Sequence, residues 1–146
     1  MRNPIHLLIL AVMMLSVPST ACLAQSKGER SILSILARQS EAWNRGDLEG
    51  FMKGYWESDS LRYIGKDGVT YGFAPTLARY KRNYGDTARM GRLRFDILHL
   101  QRLSARWYHV VGKWSLKRSA GDTGGHFTLL FRRIRGEWVV VSDHSS

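Results

Sequence analysis

Residues His126–Ser146 read HFTLLFRRIRGEWVVVSDHSS, and the fold turns on how this stretch pairs with itself. Two apolar-rich runs, His126–Ile134 and Glu137–His144, flank the dipeptide Arg135-Gly136. Glycine supplies the positive φ that a two-residue hairpin turn needs, so the spacing predicts an antiparallel pair closed at that dipeptide. With Ile134 opposite Glu137, an unbroken register pairs Thr128 with Asp143 and His126 with Ser145. Alternation then puts His126, Thr128, Leu130, Val139, Val141 and Asp143 on one face. The other carries Phe127, Leu129, Phe131, Trp138, Val140, Ser142 and His144. This second set is the more apolar and is expected to face inward, with His144 at its edge, while the first set faces outward.

The same stretch ends by placing Asp143, His144 and Ser145 in a row, the three residue types of a hydrolytic triad. Alternation forbids the relay, because Asp143 and Ser145 share one face while His144 takes the other, and no G-x-S-x-G elbow is present. His144 and Asp143 stand as catalytic candidates in the sense of a single general acid or base. The competing readings are a strand-end histidine bonded to backbone and a structural His126–Asp143 ion pair across one face. No second histidine or carboxylate is spaced to complete a ligand set, so neither metal nor cofactor is expected.

Upstream the period of two continues. Tyr108, Val110, Gly112, Trp114 and Leu116 alternate with polar residues along a long strand, and "SAGDTGG" forms a turn. Leu93, Phe95 and Ile97 alternate until the apolar phase flips at Leu98 and Leu100, which predicts a bulge and therefore a bent sheet. Earlier still the period is helical. Ser26 and Glu29 form a capping-box pair ahead of a helix over Glu29–Trp43, with Ile32, Leu33, Leu36, Ala37 and Trp43 on one face. Gly46 and Asp47 then turn the chain into a second helix, from Leu48 to about Tyr55. A short strand over Leu61–Ile64, a turn at "GKDG", a second strand at "VTYG" and a third helix within "FAPTLARYKRNYG" follow. Helices gathered at the start and a curved antiparallel sheet at the end predict an α+β domain, a cone with three N-terminal helices packed in the sheet.

The first 24 residues have a different grammar. Arg2, an apolar run over Ile5–Val17, Pro18 and the small residues of "STACLA" lay out a secretory signal cleaved after Ala24. The expected organisation is signal peptide 1–24 and one domain 25–146, exported to the periplasm or medium, with no transmembrane span in the mature form. The single cysteine, Cys22, lies inside that signal, which excludes disulfides and cysteine chemistry from the mature chain and offers lipidation at Cys22 as the alternative route. The net charge of +10 accompanies no nucleic-acid reading element, so no nucleic-acid partner is expected.

The stretch WNRGDLEGFMKGYWESDS and the closing hairpin GHFTLLFRRIRGEWVVVSDHSS resemble the nuclear transport factor 2-like (NTF2-like) superfamily, especially its SnoaL-like and DUF4440 branches. The resemblance covers nearly all of residues 29–146. It implies a conical cavity, and it admits both binding domains and enzymes. Tyr55, Trp56, Tyr63, Tyr71 and Trp114, with His126 and His144, are the ligand-binding candidates, a set suited to a flat apolar or aromatic molecule. One function is small-molecule binding in the cone, self-association as a homodimer through the sheet, or both. The alternative is an enzyme similar to ketosteroid isomerase or SnoaL, moving a proton next to a carbonyl. In ketosteroid isomerase the base is an acid on the first short strand. Here that strand reads LRYIG, without a carboxylate.

Overall fold

The computed structural model describes residues 25–146; the expected signal peptide over residues 1–24, its expected cleavage site and Cys22 lie outside them. Helix α1 runs over Lys27–Asn44 and is opened by the expected box, with the Ser26 side chain accepting from the Glu29 amide and the Glu29 carboxylate accepting from the Ser26 amide. Its buried stripe is Ile32, Ile35, Leu36, Gln39, Ala42 and Trp43. Ala37, expected on that stripe, is exposed, and Gln39 takes the inward position. Gly46 has φ 80°, and Asp47 caps α2 (Leu48–Met52) by accepting from the Gly50 amide at 2.7 Å. Helix α2 ends three residues before the expected Tyr55, because the chain there turns to pair with the last strand. The Trp56 amide donates to the Val140 carbonyl, and the Val140 amide donates to the Gly54 carbonyl, both at 2.9 Å.

Strands β1 (Arg62–Gly65) and β2 (Gly68–Tyr71) precede helix α3 (Phe73–Asn83). A further short helix, α4 (Thr87–Met90), leads into β3 (Arg92–Ser104), β4 (Trp107–Lys117), β5 (Thr123–Ile134) and β6 (Glu137–Ser145). The order across the sheet is β2-β1-β6-β5-β4-β3. β1 and β6 are parallel and all other neighbours antiparallel. The sheet is therefore mixed, not wholly antiparallel as expected, and it does not close into a barrel. The α+β class and the helices packed in a curved sheet are as read from the sequence. Ile32, Met52, Leu61, Val110, Phe131 and Val140 are fully buried between helices and sheet.

Three register shifts interrupt the sheet; one leaves Leu103 extra beside the β3–β4 turn, where Arg102 pairs with Tyr108 and Ser104 with Trp107, and two others lie deeper in the sheet. The first of these two is where adjacent Ile97 and Leu98 predict it: Ile97 pairs with Gly112 and His99 with Val111, leaving Leu98 as the extra residue, 54% exposed. The second lies in β6. Arg135 (φ 50°) and Gly136 (φ 88°) make the two-residue turn, and Ile134 pairs with Glu137 as expected. Phe131 then pairs with Val140, whereas Leu130 pairs with Ser142, so Val141 is extra. Beyond this point Asp143 opposes Leu129 and Ser145 opposes Phe127. The unbroken register, with Thr128 opposite Asp143 and His126 opposite Ser145, is overturned by one residue. The β6 residues beyond the bulge exchange faces with it: Asp143 is 3% exposed and His144 is exposed, while Phe127, Leu129, Phe131 and Val140 are buried as expected.

Side chains of α1 close the outer edge of the sheet. The Leu93 amide donates to Asn44 Oδ1 at 2.7 Å, and the Leu93 carbonyl accepts from Asn44 Nδ2 and from Ser40 Oγ, each at 3.1 Å. On the inner face, Gly112 makes room for the Phe127 ring, since a Cβ there would lie 2.7 Å from Phe127 Cε1. That ring sits edge-to-face with Phe95, centroids 5.4 Å apart.

Candidate functional site

Helices α1, α2 and α3 stand off the concave face of the sheet and leave a cavity of about 440 Å³, a size suited to a small organic molecule. Aromatic residues make most of its wall: Trp43 and Phe51 from the first two helices, Tyr80 and Tyr84 from α3 and its cap, and Phe95, Trp114 and Phe127 from the sheet. The rings hold one another by their edges. Trp43 meets Phe51 at 5.2 Å and Tyr84 at 4.8 Å, and Tyr80 meets Phe51 at 5.2 Å and Tyr63 at 5.7 Å. Such interlocked rings give a wall of fixed shape.

The polar centre is Asp143. Its Oδ2 accepts from the Tyr55 hydroxyl at 2.6 Å and its Oδ1 from Ser145 Oγ at 2.7 Å. Tyr80 places its hydroxyl 3.5 Å from that of Tyr55. β6 supplies Asp143 and Ser145 two residues apart on one face, and the Tyr55–Val140 bridge fixes the tyrosine beside them. Burial pushes the Asp143 carboxyl up to about 6, although the Tyr55 and Ser145 hydrogen bonds and the nearby His144 pull the other way. Burial, reinforced by the same carboxylate, pushes the Tyr55 and Tyr80 hydroxyls well above the usual phenol range. Among the described residues, no cation forms an ion pair with Asp143.

The rim is basic. Lys66, Arg79 and Arg118 line it; Arg79 pairs with Asp67 at 3.0 Å and lies over the Tyr63 ring, 5.3 Å from its centroid. Gly65 permits that approach, since a Cβ there would lie 3.0 Å from the Tyr63 ring.

Of the residues singled out in the sequence, Tyr55, Tyr63, Trp114 and Asp143 line the cavity. Trp56, Tyr71, His126 and His144 do not. Tyr71 is 65% exposed at the sheet edge. His126 lies on an outward position of β5, and the Val141 bulge turns His144 outward, reversing its expected inward placement. The diagonal His126–Asp143 pairing goes with it, since Asp143 lies on the opposite face. Tyr80, Tyr84, Phe95 and Ser145 were not singled out as site residues. Tyr80 follows Leu77 on the apolar stripe of α3, a spacing that marks burial and gives no sign of the hydroxyl's destination. Among the described residues no group of three or more His, Cys, Asp or Glu side chains is placed to hold a metal ion.

The fold is shared with solved structures. An NTF2-like protein of unknown function from Shewanella oneidensis is 44% identical, with a TM-score of 0.77 over 80% of this chain and 97% of that one. An NTF2-like protein of unknown function from Pseudomonas putida is 18% identical, with a TM-score of 0.68 over 82% and 85% of the two chains. A ketosteroid isomerase-like protein from Erwinia carotovora is 17% identical, with a TM-score of 0.64 over 84% and 97%. No family model and no curated protein matches the chain.

The raised Asp143 carboxyl sets a pH dependence. Its folded-state pKa of about 6 lies above the ordinary 3.8, so the stability it contributes is fully present below the ordinary value and is lost as pH rises through the folded one. Urea unfolding across that window should show a fall of about 3 kcal/mol from this group. Asp143→Asn, neutral throughout, should abolish that part of the slope; an unchanged slope would refute the buried-carboxyl assignment.

Proposed function

The chain belongs to the NTF2-like family, and from that premise we propose that it is an exported domain that binds a small apolar or aromatic molecule in its cone. The observation that carries this reading is the cavity itself, an interlocked aromatic wall around one buried carboxyl. Flat rings stack or pack edge-on against such a wall, and Asp143 offers the ligand a hydrogen-bonding anchor in a water-poor setting. The carboxyl has spare acceptor capacity beyond Tyr55 and Ser145, and when protonated it is also a donor.

A second reading rests on the same residue. A carboxyl whose pKa is moved to about 6 is suited to exchanging protons with a bound carbonyl compound near neutral pH. This is the ketosteroid isomerase-like or SnoaL-like alternative, with the carboxyl supplied by the last strand in place of the first, whose Tyr63 lines the cavity.

Calorimetry on compounds found by thermal shift distinguishes the readings. Thr123→Trp, on the cavity lining at the start of β5, should weaken binding by roughly tenfold or more while leaving unfolding unchanged. If Thr123→Trp binds as tightly as the parent, the ligand is not in the cone. Turnover that Asp143→Asn abolishes with binding intact would select the enzyme.

Export is supported by the pattern of residues 1–24, and the exported protein should begin at Gln25 when its N-terminus is sequenced. A blocked, lipid-bearing Cys22 would instead identify an anchored form. Self-association is supported by the outer sheet face, where Val111, Leu130 and Val139 are only half-buried. A homodimer through that face should sediment as a monomer when Val111 is changed to Glu; an unaltered dimer would place the interface elsewhere.

A further inference from the structure

The sheet has two ends. The cavity opens where β4 ends and β5 begins, and the β3–β4 and β5–β6 turns lie at the opposite end, joined by the Arg133 amide donating to the Arg106 carbonyl at 2.9 Å. The start of α1 packs there as well, with Ser26 Oγ 2.8 Å from the Tyr108 hydroxyl. Between α1 and the two turns runs an open groove of about 850 Å³ lined by Lys27, Arg30, Arg38, Arg102 and Arg133, with Glu137 as its one acidic side chain.

None of these five cations is in an ion pair; the five ion pairs among the described residues engage Arg45, Arg79, Lys81, Arg89 and Arg94 elsewhere. All four arginines are held in place through uncharged groups, Arg30 by donating to the Gln25 carbonyl. Arg38 donates to Ser34 Oγ at 2.7 Å, Arg102 to the Ser104 carbonyl and Arg133 to the Gly136 carbonyl, each at 3.2 Å. Their charge is left for an outside partner.

Two further observations choose among anionic partners. Leu103, next to Arg102 in sequence and three residues before Arg106, is 52% exposed, an apolar residue flanked along the chain by cations as in segments that enter a headgroup layer. The chain also leaves α1 at Ser26, the groove's edge, toward the apolar run Ile5–Val17 and Cys22. Cys22 lies four positions before Ser26, a reach of at most about 14 Å. In the anchored form, where a lipid on Cys22 replaces cleavage after Ala24, this end of the domain would be held at a bilayer surface.

We propose that this groove is a docking site for anionic phospholipid headgroups, with Lys27, Arg30, Arg38, Arg102 and Arg133 binding phosphates and Leu103 entering the interface. Basic side chains near an anionic surface strengthen binding about fivefold each and lose effect as salt rises.

Flotation of the full chain, with residues 1–24 retained, on phosphatidylcholine vesicles gives the baseline that those residues provide without anionic lipid. Adding phosphatidylglycerol should strengthen binding, and the triple change Arg30→Gln, Arg38→Gln, Arg133→Gln should weaken that increment about a hundredfold. The triple change Arg45→Gln, Arg89→Gln, Arg94→Gln removes equal charge outside the groove and should leave the increment within a few-fold of the parent. Equal losses from both triples would reduce the effect to net charge and overturn the site. So would a groove that responds to inorganic pyrophosphate or to a nucleic-acid oligomer and not to anionic vesicles. Leu103→Ser should lower the increment with thermal unfolding unchanged; a full increment would refute insertion.

Discussion

One extra residue in β6 governs the interior. A strand hydrogen-bonded on both sides has little freedom to slide, and β6 is held by β5 along one edge and by residues 54–56 and then β1 along the other. Val140 is pinned before the bulge by Gly54 and Trp56, and Ser142–His144 are pinned after it by Arg62–Ile64. Val141 is left over between two fixed registers. That remainder rotates the rest of the strand by one position, which brings Asp143 and Ser145 to the concave face and sends His144 out. The cavity's polar centre, its tyrosine partner and the pH response all descend from it.

The buried carboxyl is tolerated because its neighbours are donors. Two hydroxyls lie within 2.7 Å of its oxygens, and no buried side-chain nitrogen or oxygen among the described residues lacks a partner. Hydrogen bonds to the charged form offset part of the desolvation, and burial still prevails, which is why the pKa rises. The site is thus closer to a poised acid than to a fixed charge.

Much of this was legible in the chain. The cap at Ser26, the corner at Gly46-Asp47, the Arg135-Gly136 turn and the Leu98 bulge each follow from a local rule, a cap, a positive φ or an apolar phase flip. The Val141 bulge carried the same kind of signal as Leu98: three adjacent valines followed by Ser-Asp cannot alternate cleanly. An unbroken register fitted the apolar count of each face almost as well, and only the pinning by Gly54, Trp56 and β1 decides between them. Those are long-range contacts with no local trace. The parallel joining of β1 to β6 was hidden for the same reason, as was the destination of the Tyr80 hydroxyl.

The Asn44 side chain gives the outermost strand more than an anchor. It takes both the amide and the carbonyl of Leu93, and register shifts interrupt β3 again at Ile97/His99 and Arg102/Ser104. The strand at the far margin, β2, has only four residues. Neither border offers a long straight ladder of idle backbone groups to a stray chain, so lateral stacking into fibrils finds no template in this sheet.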